Sequence, residues 1–156
     1  MERIILMVLR NILFVPYWAC KLLAYAKESD KHTEEERFAL LKKITINANK
    51  GGRVTIQTTG EENLPEKNGF VLFPNHQGLF DVLALVESCS RPLSVVMKKE
   101  VANVPFLKQV FAIMRAKAID REDIKQSMRV IMDVTREVTE GRNYVIFAEG
   151  TRTKHP

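Results

Sequence analysis

Cysteine is scarce in this chain, with Cys20 and Cys89 the only two in 156 residues. Both sit in apolar surroundings and neither has a metal-ligand spacing. A disulfide framework and a zinc knuckle are therefore excluded, and the thiols are read as reduced. The three histidines are too scattered to make a metal site, so none is expected. There is no serine or cysteine elbow to supply a covalent nucleophile, and no set of metal-binding carboxylates of the kind hydrolases and phosphatases use. Aromatic residues are few, at 8%, and do not interleave with the basic ones as they would on a base-stacking platform. Nucleic acid is accordingly the poorest candidate partner. Internal repeats and low-complexity tracts are absent. So is a long uncharged apolar run: residues 4–25 are strongly apolar, but Arg10, Asn11, Pro16 and Lys21 interrupt them.

What is present is a chain with 46% hydrophobic residues, enough for one folded domain with a core, and a net charge of +5. A basic balance suits an acidic lipid surface or a phosphorylated small molecule. The interrupted N-terminus reads as two short helices, about 3–14 and 17–28, separated at Pro16, which can end one helix and open the next. A spanning helix needs about 20 mostly uncharged residues, and a central Arg costs roughly 2.5–3.5 kcal/mol on insertion scales. The pair is therefore expected to lie in a membrane interface. Tyr17 and Trp18 would sit at headgroup level, with Arg3, Arg10, Lys21 and Lys27 toward anionic lipid. A single kinked span and a pair of core helices are the alternatives. A secretory signal peptide fits poorly, because Arg10 breaks the apolar run and no small-residue cleavage site follows.

Thr33 and Glu36 have the spacing of a capping box, opening a helix that runs through Phe38, Leu41, Ile44 and Ala48 to Gly51-Gly52. Residues 54–58 alternate apolar and polar, so a half-exposed strand is expected there. Further strands are expected at 70–73, 93–97, 116–119 and 144–147. Helices are expected from residue 79, over 105–114, and from 124 to Gly141. Ile124, Met128, Ile131, Met132, Thr135 and Val138 mark one face of the last of these. Alternating strands and helices give an α/β fold: a mixed, largely parallel sheet flanked by helices, with the membrane-associating helical pair in front. The domain reading is 1–30 interface helices, 31–50 connecting helix and 51–156 a catalytic α/β domain.

The chemistry gathers at strand ends, where open α/β sheets place their ligands. After the strand at 70–73 comes Asn75-His76-Gln77-Gly78-Leu79-Phe80-Asp81. Pro74 and Gly78 put His76 on a turn, and Asp81 falls in the first turn of the following helix. Within one helix, residues five apart lie roughly 140° apart around the axis and cannot meet. Across a turn and a helix start they can, giving a base held in one tautomer by a carboxylate. Lys98-Lys99, Asp120-Arg121 and Glu149-Gly150-Thr151-Arg152 end the other strands. A base among several cations and a Gly-containing turn suits a phosphorylated substrate, with Arg as the bidentate clamp.

Taken together, these blocks resemble the glycerolipid acyltransferases of the 1-acylglycerol-3-phosphate acyltransferase type. Asn75-His76 through Asp81 looks like that family's His-x-x-x-x-Asp motif. Ala118-Ile119-Asp120-Arg121 is similar to its second block and Phe147-Ala148-Glu149-Gly150-Thr151-Arg152 to its third; Lys98-Lys99-Glu100 is similar to the segment between the first two. The resemblance covers roughly residues 50–153. Ala148 stands where the family commonly has proline, and the family continues beyond the third block, so the chain is expected to be truncated at its C-terminus, with activity of this piece alone in doubt.

The resemblance implies transfer of an acyl group to the sn-2 hydroxyl of lysophosphatidic acid. His76 would be the general base and Asp81 its orienting acid. Arg152 would clamp the phosphate, Glu149, Gly150 and Thr151 would shape the turn, and Arg121 with one of Lys98 or Lys99 would assist. No cofactor is implied; acyl-ACP or acyl-CoA is the co-substrate, and the site would work at the cytoplasmic face of a membrane. The same chemistry on another lysophospholipid or on glycerol 3-phosphate, and a non-catalytic membrane-binding module, are the alternatives.

Overall fold

The computed structural model describes residues 2–76, 78, 80–104 and 107–148. Two short helices come first, α1 (Glu2–Arg10) and α2 (Val15–Lys27), joined by a turn over 11–14. Pro16 lies at the start of α2, where its missing N–H costs nothing. Neither helix reaches membrane-spanning length, and among the described residues no helix is long and apolar enough to cross a membrane. The pair is not detached from the body: α1 packs on α3 (Glu34–Gly51) and α2 on α5 (Leu107–Ile113). Leu22 is fully buried in the main core, with Trp18, Tyr25 and Ala26 against it.

The capping box at the start of α3 is present. Thr33 Oγ1 accepts from the Glu36 N–H at 3.2 Å, and Glu36 Oε2 accepts from the Thr33 N–H at 3.0 Å. Beyond α3 the expected strand at 54–58 does not form. The segment is irregular and pairs with no strand of the described sheet. Alternation records only that one side of a chain is half-covered; a strand also needs a partner ladder, and this segment takes up none of the four described strands.

The described sheet has four strands: β1 (Val71–Leu72), β2 (Ser94–Lys98), β3 (Lys117–Ile119) and β4 (Tyr144–Ile146). Their spatial order is β1-β4-β2-β3 and every pairing is parallel. Helix α4 (Phe80–Ser88) follows β1, α5 follows β2, and α6 (Ile124–Thr139) joins β3 to β4. Alternation along the strands divides the side chains between two layers. Leu72, Val95, Met97, Val145 and Phe147 enter the larger core, together with residues of α2 to α5. Val71, Val96, Ile119, Tyr144 and Ile146 face α6.

Helix α6 meets the sheet through Val130, Val134 and Val138, so that of the row expected from its sequence only Val138 takes part. Ile124, Met128, Ile131 and Met132 are exposed, Ile124 to 77%. The helix carries two apolar rows at helical spacing, and the sheet takes the valine row. At the amino edge of the sheet, Asn143 is the tie. It is 2% exposed, accepts from the Gly69 N–H at 2.9 Å, and donates through Nδ2 to Pro92 O at 3.0 Å. Gly69 has φ +97, and a Cβ there would meet Val138 O at 2.6 Å, so only glycine brings the chain into β1 at this point.

Candidate active site

The four parallel strands end at one edge of the sheet, and the described residues named above for chemistry, from His76 to Arg121, lie in the segments that follow β1, β2 and β3. β1 ends in the turn 73–76, and α4 begins at Phe80, so His76 precedes the helix and Asp81 is its second residue. The turn closes as the spacing requires: His76 Nδ1 lies 3.0 Å from Asp81 Oδ2. The same Oδ2 accepts from the Gly78 N–H at 3.0 Å. A carboxylate offers only acceptors, so the shared proton belongs to Nδ1 and the basic lone pair to Nε2. Both side chains are 23% exposed, enough shelter to hold the geometry while leaving a way in. The ring also rests against Phe147, just past β4, with centroids 4.3 Å apart and planes tilted by 38°. Phe147 belongs to the larger core. The imidazole is thus seated on the sheet's end rather than carried on a free loop.

Lys99 and Asp120 pair across the ends of β2 and β3, Nζ to Oδ2, at 2.7 Å. The hydrogen bond to Lys99 is the main reason the Asp120 carboxyl titrates below its ordinary range, and the same bond raises the Lys99 ammonium. The partner of Asp120 is thus a lysine from the neighbouring loop. Arg121 is exposed next to it. Register separates the two lysines. Lys98 ends β2 in phase with Val96, on the α6 side, whereas Phe147 under the imidazole is in phase with Val145 on the opposite side. Glu149, Gly150, Thr151 and Arg152 lie outside the described residues. Of the expected site, the structure brings together His76 with Asp81, and Lys99 with the loop that carries Arg121.

A family model described as Acyltransferase matches residues 55–155. The chain belongs to the acyltransferase family. The matched span holds the His76–Asp81 pair and the Lys99–Asp120 pair. Among curated proteins, this acyltransferase is 28% identical to the 1-acyl-sn-glycerol-3-phosphate acyltransferase of Borreliella burgdorferi, over 65% of the chain and 40% of that protein. It is 33% identical to the protein of the same name from Pseudomonas aeruginosa, over 64% of the chain and 38% of that protein. The chain thus matches well under half the length of these relatives. Among solved structures, the 1-acyl-sn-glycerophosphate (LPA) acyltransferase of Thermotoga maritima superposes with a TM-score of 0.70 at 18% identity, covering 97% of this chain and 62% of that one. At that identity the likeness establishes the fold: the α/β sheet flanked by helices is that of the solved acyltransferase.

Proposed function

We propose that this acyltransferase moves a fatty acyl group from an acyl-ACP or acyl-CoA thioester to the sn-2 hydroxyl of 1-acyl-glycerol-3-phosphate, giving phosphatidic acid for phospholipid biosynthesis. The names of the relatives support the reaction class. The observation that carries the mechanism is the 3.0 Å contact between His76 Nδ1 and Asp81 at the carboxyl edge of a parallel sheet. His76 Nε2 takes the proton of the acceptor hydroxyl as its oxygen attacks the thioester carbonyl. The tetrahedral adduct then collapses, the C–S bond breaks, and the thiolate leaves with the proton returned by the imidazolium. Asp81 holds the ring in the required tautomer and stabilises its protonated form. The acceptor itself is the nucleophile, so no acyl-enzyme forms.

Arg152 is the proposed phosphate clamp, in a turn shaped by Glu149, Gly150 and Thr151, with Arg121 and Lys99 contributing charge. Lys98, in phase with the α6 side, is the less suitable lysine. The lipid substrates would be met at the cytoplasmic surface of a membrane. Ile5, Leu9, Ile12, Leu13, Phe14 and Tyr17 support contact with a lipid surface, each more than half exposed along α1, the turn and the start of α2.

In the experiment that tests the mechanism, His76→Ala loses acyl transfer by about 10²–10⁴-fold, the usual worth of a general base, while lysophosphatidic acid still binds. Near-normal turnover of the variant would remove the base assignment. Assaying a lysophospholipid and glycerol 3-phosphate beside lysophosphatidic acid tests the acceptor.

A further inference from the structure

Asp120 is tethered through more of its atoms than an exposed loop residue requires. Its Oδ2 accepts from Lys99 Nζ at 2.7 Å, and its Oδ1 accepts from the Glu122 N–H at 3.1 Å. Its N–H donates to Gln126 Oε1 at 2.9 Å, and its carbonyl accepts from Ser127 Oγ at 2.7 Å. Gln126 Nε2 in turn donates to Ala118 O at 2.9 Å, so α6 holds both ends of the turn that leaves β3. A half-exposed ion pair contributes little to stability, and fold maintenance does not account for this much order. What the bonds do accomplish is to fix one lysine. Lys99 follows β2, Asp120 follows the adjacent β3, and their pairing pins a mobile four-carbon ammonium between the two loops, beside the loop position of Arg121.

We propose that Asp120 is a positioning residue for the phosphorylated acceptor, acting through Lys99; the proposal rests on the acyltransferase reading above. Lys99 has three donor protons, and the contact with Asp120 engages one, leaving an oriented cation for a phosphate oxygen. Two effects of Asp120 oppose each other. Its negative charge repels a phosphate, weakening binding by about threefold for each unit of phosphate charge where water and salt screen a surface loop. Ordering the lysine beforehand spares the ligand the side-chain entropy of fixing it, worth about tenfold or more. Positioning wins, and the net effect of Asp120 is tighter binding of the phosphate-bearing lipid.

The test measures binding of 1-oleoyl lysophosphatidic acid in neutral detergent micelles to the full chain, with monooleoylglycerol as the phosphate-free comparator. Alongside it, KM and kcat are measured for acceptor and donor. Asp120→Ala is expected to weaken the phosphorylated lipid about three- to tenfold, to raise only the acceptor KM, and to leave kcat, the donor KM and the comparator unchanged. Asp120→Asn keeps an acceptor for Lys99 and drops the charge, so it binds the phosphorylated lipid at least as tightly as the unaltered chain. Lys99→Ala combined with Asp120→Ala is no weaker than Lys99→Ala alone, because Asp120 favours binding only through Lys99. Unchanged or tighter binding in Asp120→Ala, or additive losses in the double variant, would overturn the proposal. If the unaltered chain shows no preference for the phosphorylated lipid, the acceptor reading itself fails. If that preference persists undiminished in Asp120→Ala, only the role of Asp120 falls.

Discussion

Glu137 is an acid on the opposite side of the sheet from His76, and only 9% of it is exposed. Lys117 Nζ lies 2.6 Å from one oxygen; Tyr144 OH donates to the other at 2.7 Å, and Arg142 Nη1 pairs with it as well. Arg142 also reaches Glu34 at 3.3 Å, so the cluster joins α6, β3, β4 and α3. Burial alone would push the Glu137 carboxyl up, but the Lys117 and Tyr144 hydrogen bonds and the two nearby cations outweigh it and bring it down to about 2. Burial and the same carboxylate drive the Tyr144 phenol up. A carboxyl whose folded value is depressed stabilises the fold above its unfolded value of 4.5, and loses that contribution as pH falls toward 2. The expected loss is about 2 kcal/mol by pH 3, of about 3 kcal/mol in all. Urea unfolding between pH 6 and pH 3 checks it: the Glu137→Gln variant starts less stable and shows a flatter acid limb. An identical pH dependence in both proteins would remove Glu137 from the account.

Residues near one another in sequence were the legible ones. His76 and Asp81 are five apart, and a turn followed by a helix start leaves their side chains little choice but to meet. Lys99 and Asp120 are separated by a helix and a strand, and only the pairing of β2 with β3 makes them neighbours. Glu137 gave no signal, since a charged residue in an amphipathic helix normally faces water.

Elements with a local cause for their boundaries came out as the sequence implies. The Thr33–Glu36 box starts α3, and Asp123 caps α6 by accepting from the Gln126 N–H at 2.9 Å. Thr33→Ala should cost about 1 kcal/mol, read as a shift in urea midpoint at unchanged slope; no shift would mean that other contacts alone fix the start of α3. Elements that depend on distant partners were less legible. Residues 54–58 alternate but have no ladder, and α6 offers two apolar rows of which the sheet covers one. The N-terminal pair bears the other element-scale prediction. Leu13 is 87% exposed and Phe14 57%. Replacing both by Glu should reduce partitioning onto anionic vesicles at least about tenfold, with no loss of thermal stability, because neither side chain leaves a buried position. Equal partitioning of the altered protein would exclude this face as the lipid contact.

For the molecule as a whole, the parallel sheet followed from the alternation of strands and helices, but its order did not. Hydrophobic pattern identifies strands and leaves their neighbours open. The order β1-β4-β2-β3 places the fourth strand in sequence between the first and second. Its three residues pair with Val71 and Leu72 on one side and with Ser94, Val95 and Val96 on the other. Val145→Pro, which removes a ladder donor and a buried side chain at 2% exposure, should prevent cooperative unfolding in urea altogether; a sigmoidal transition of normal slope would show the sheet tolerates the break.

That placement has a consequence for how the protein is made. A ribosome emitting this chain releases β1 and β2 long before the strand that belongs between them, and the two have no ladder of their own. Until the segment around Tyr144 emerges, both edges stay unfilled. The nascent chain must wait with apolar strands uncovered, the interval in which a chaperone would be most useful to it.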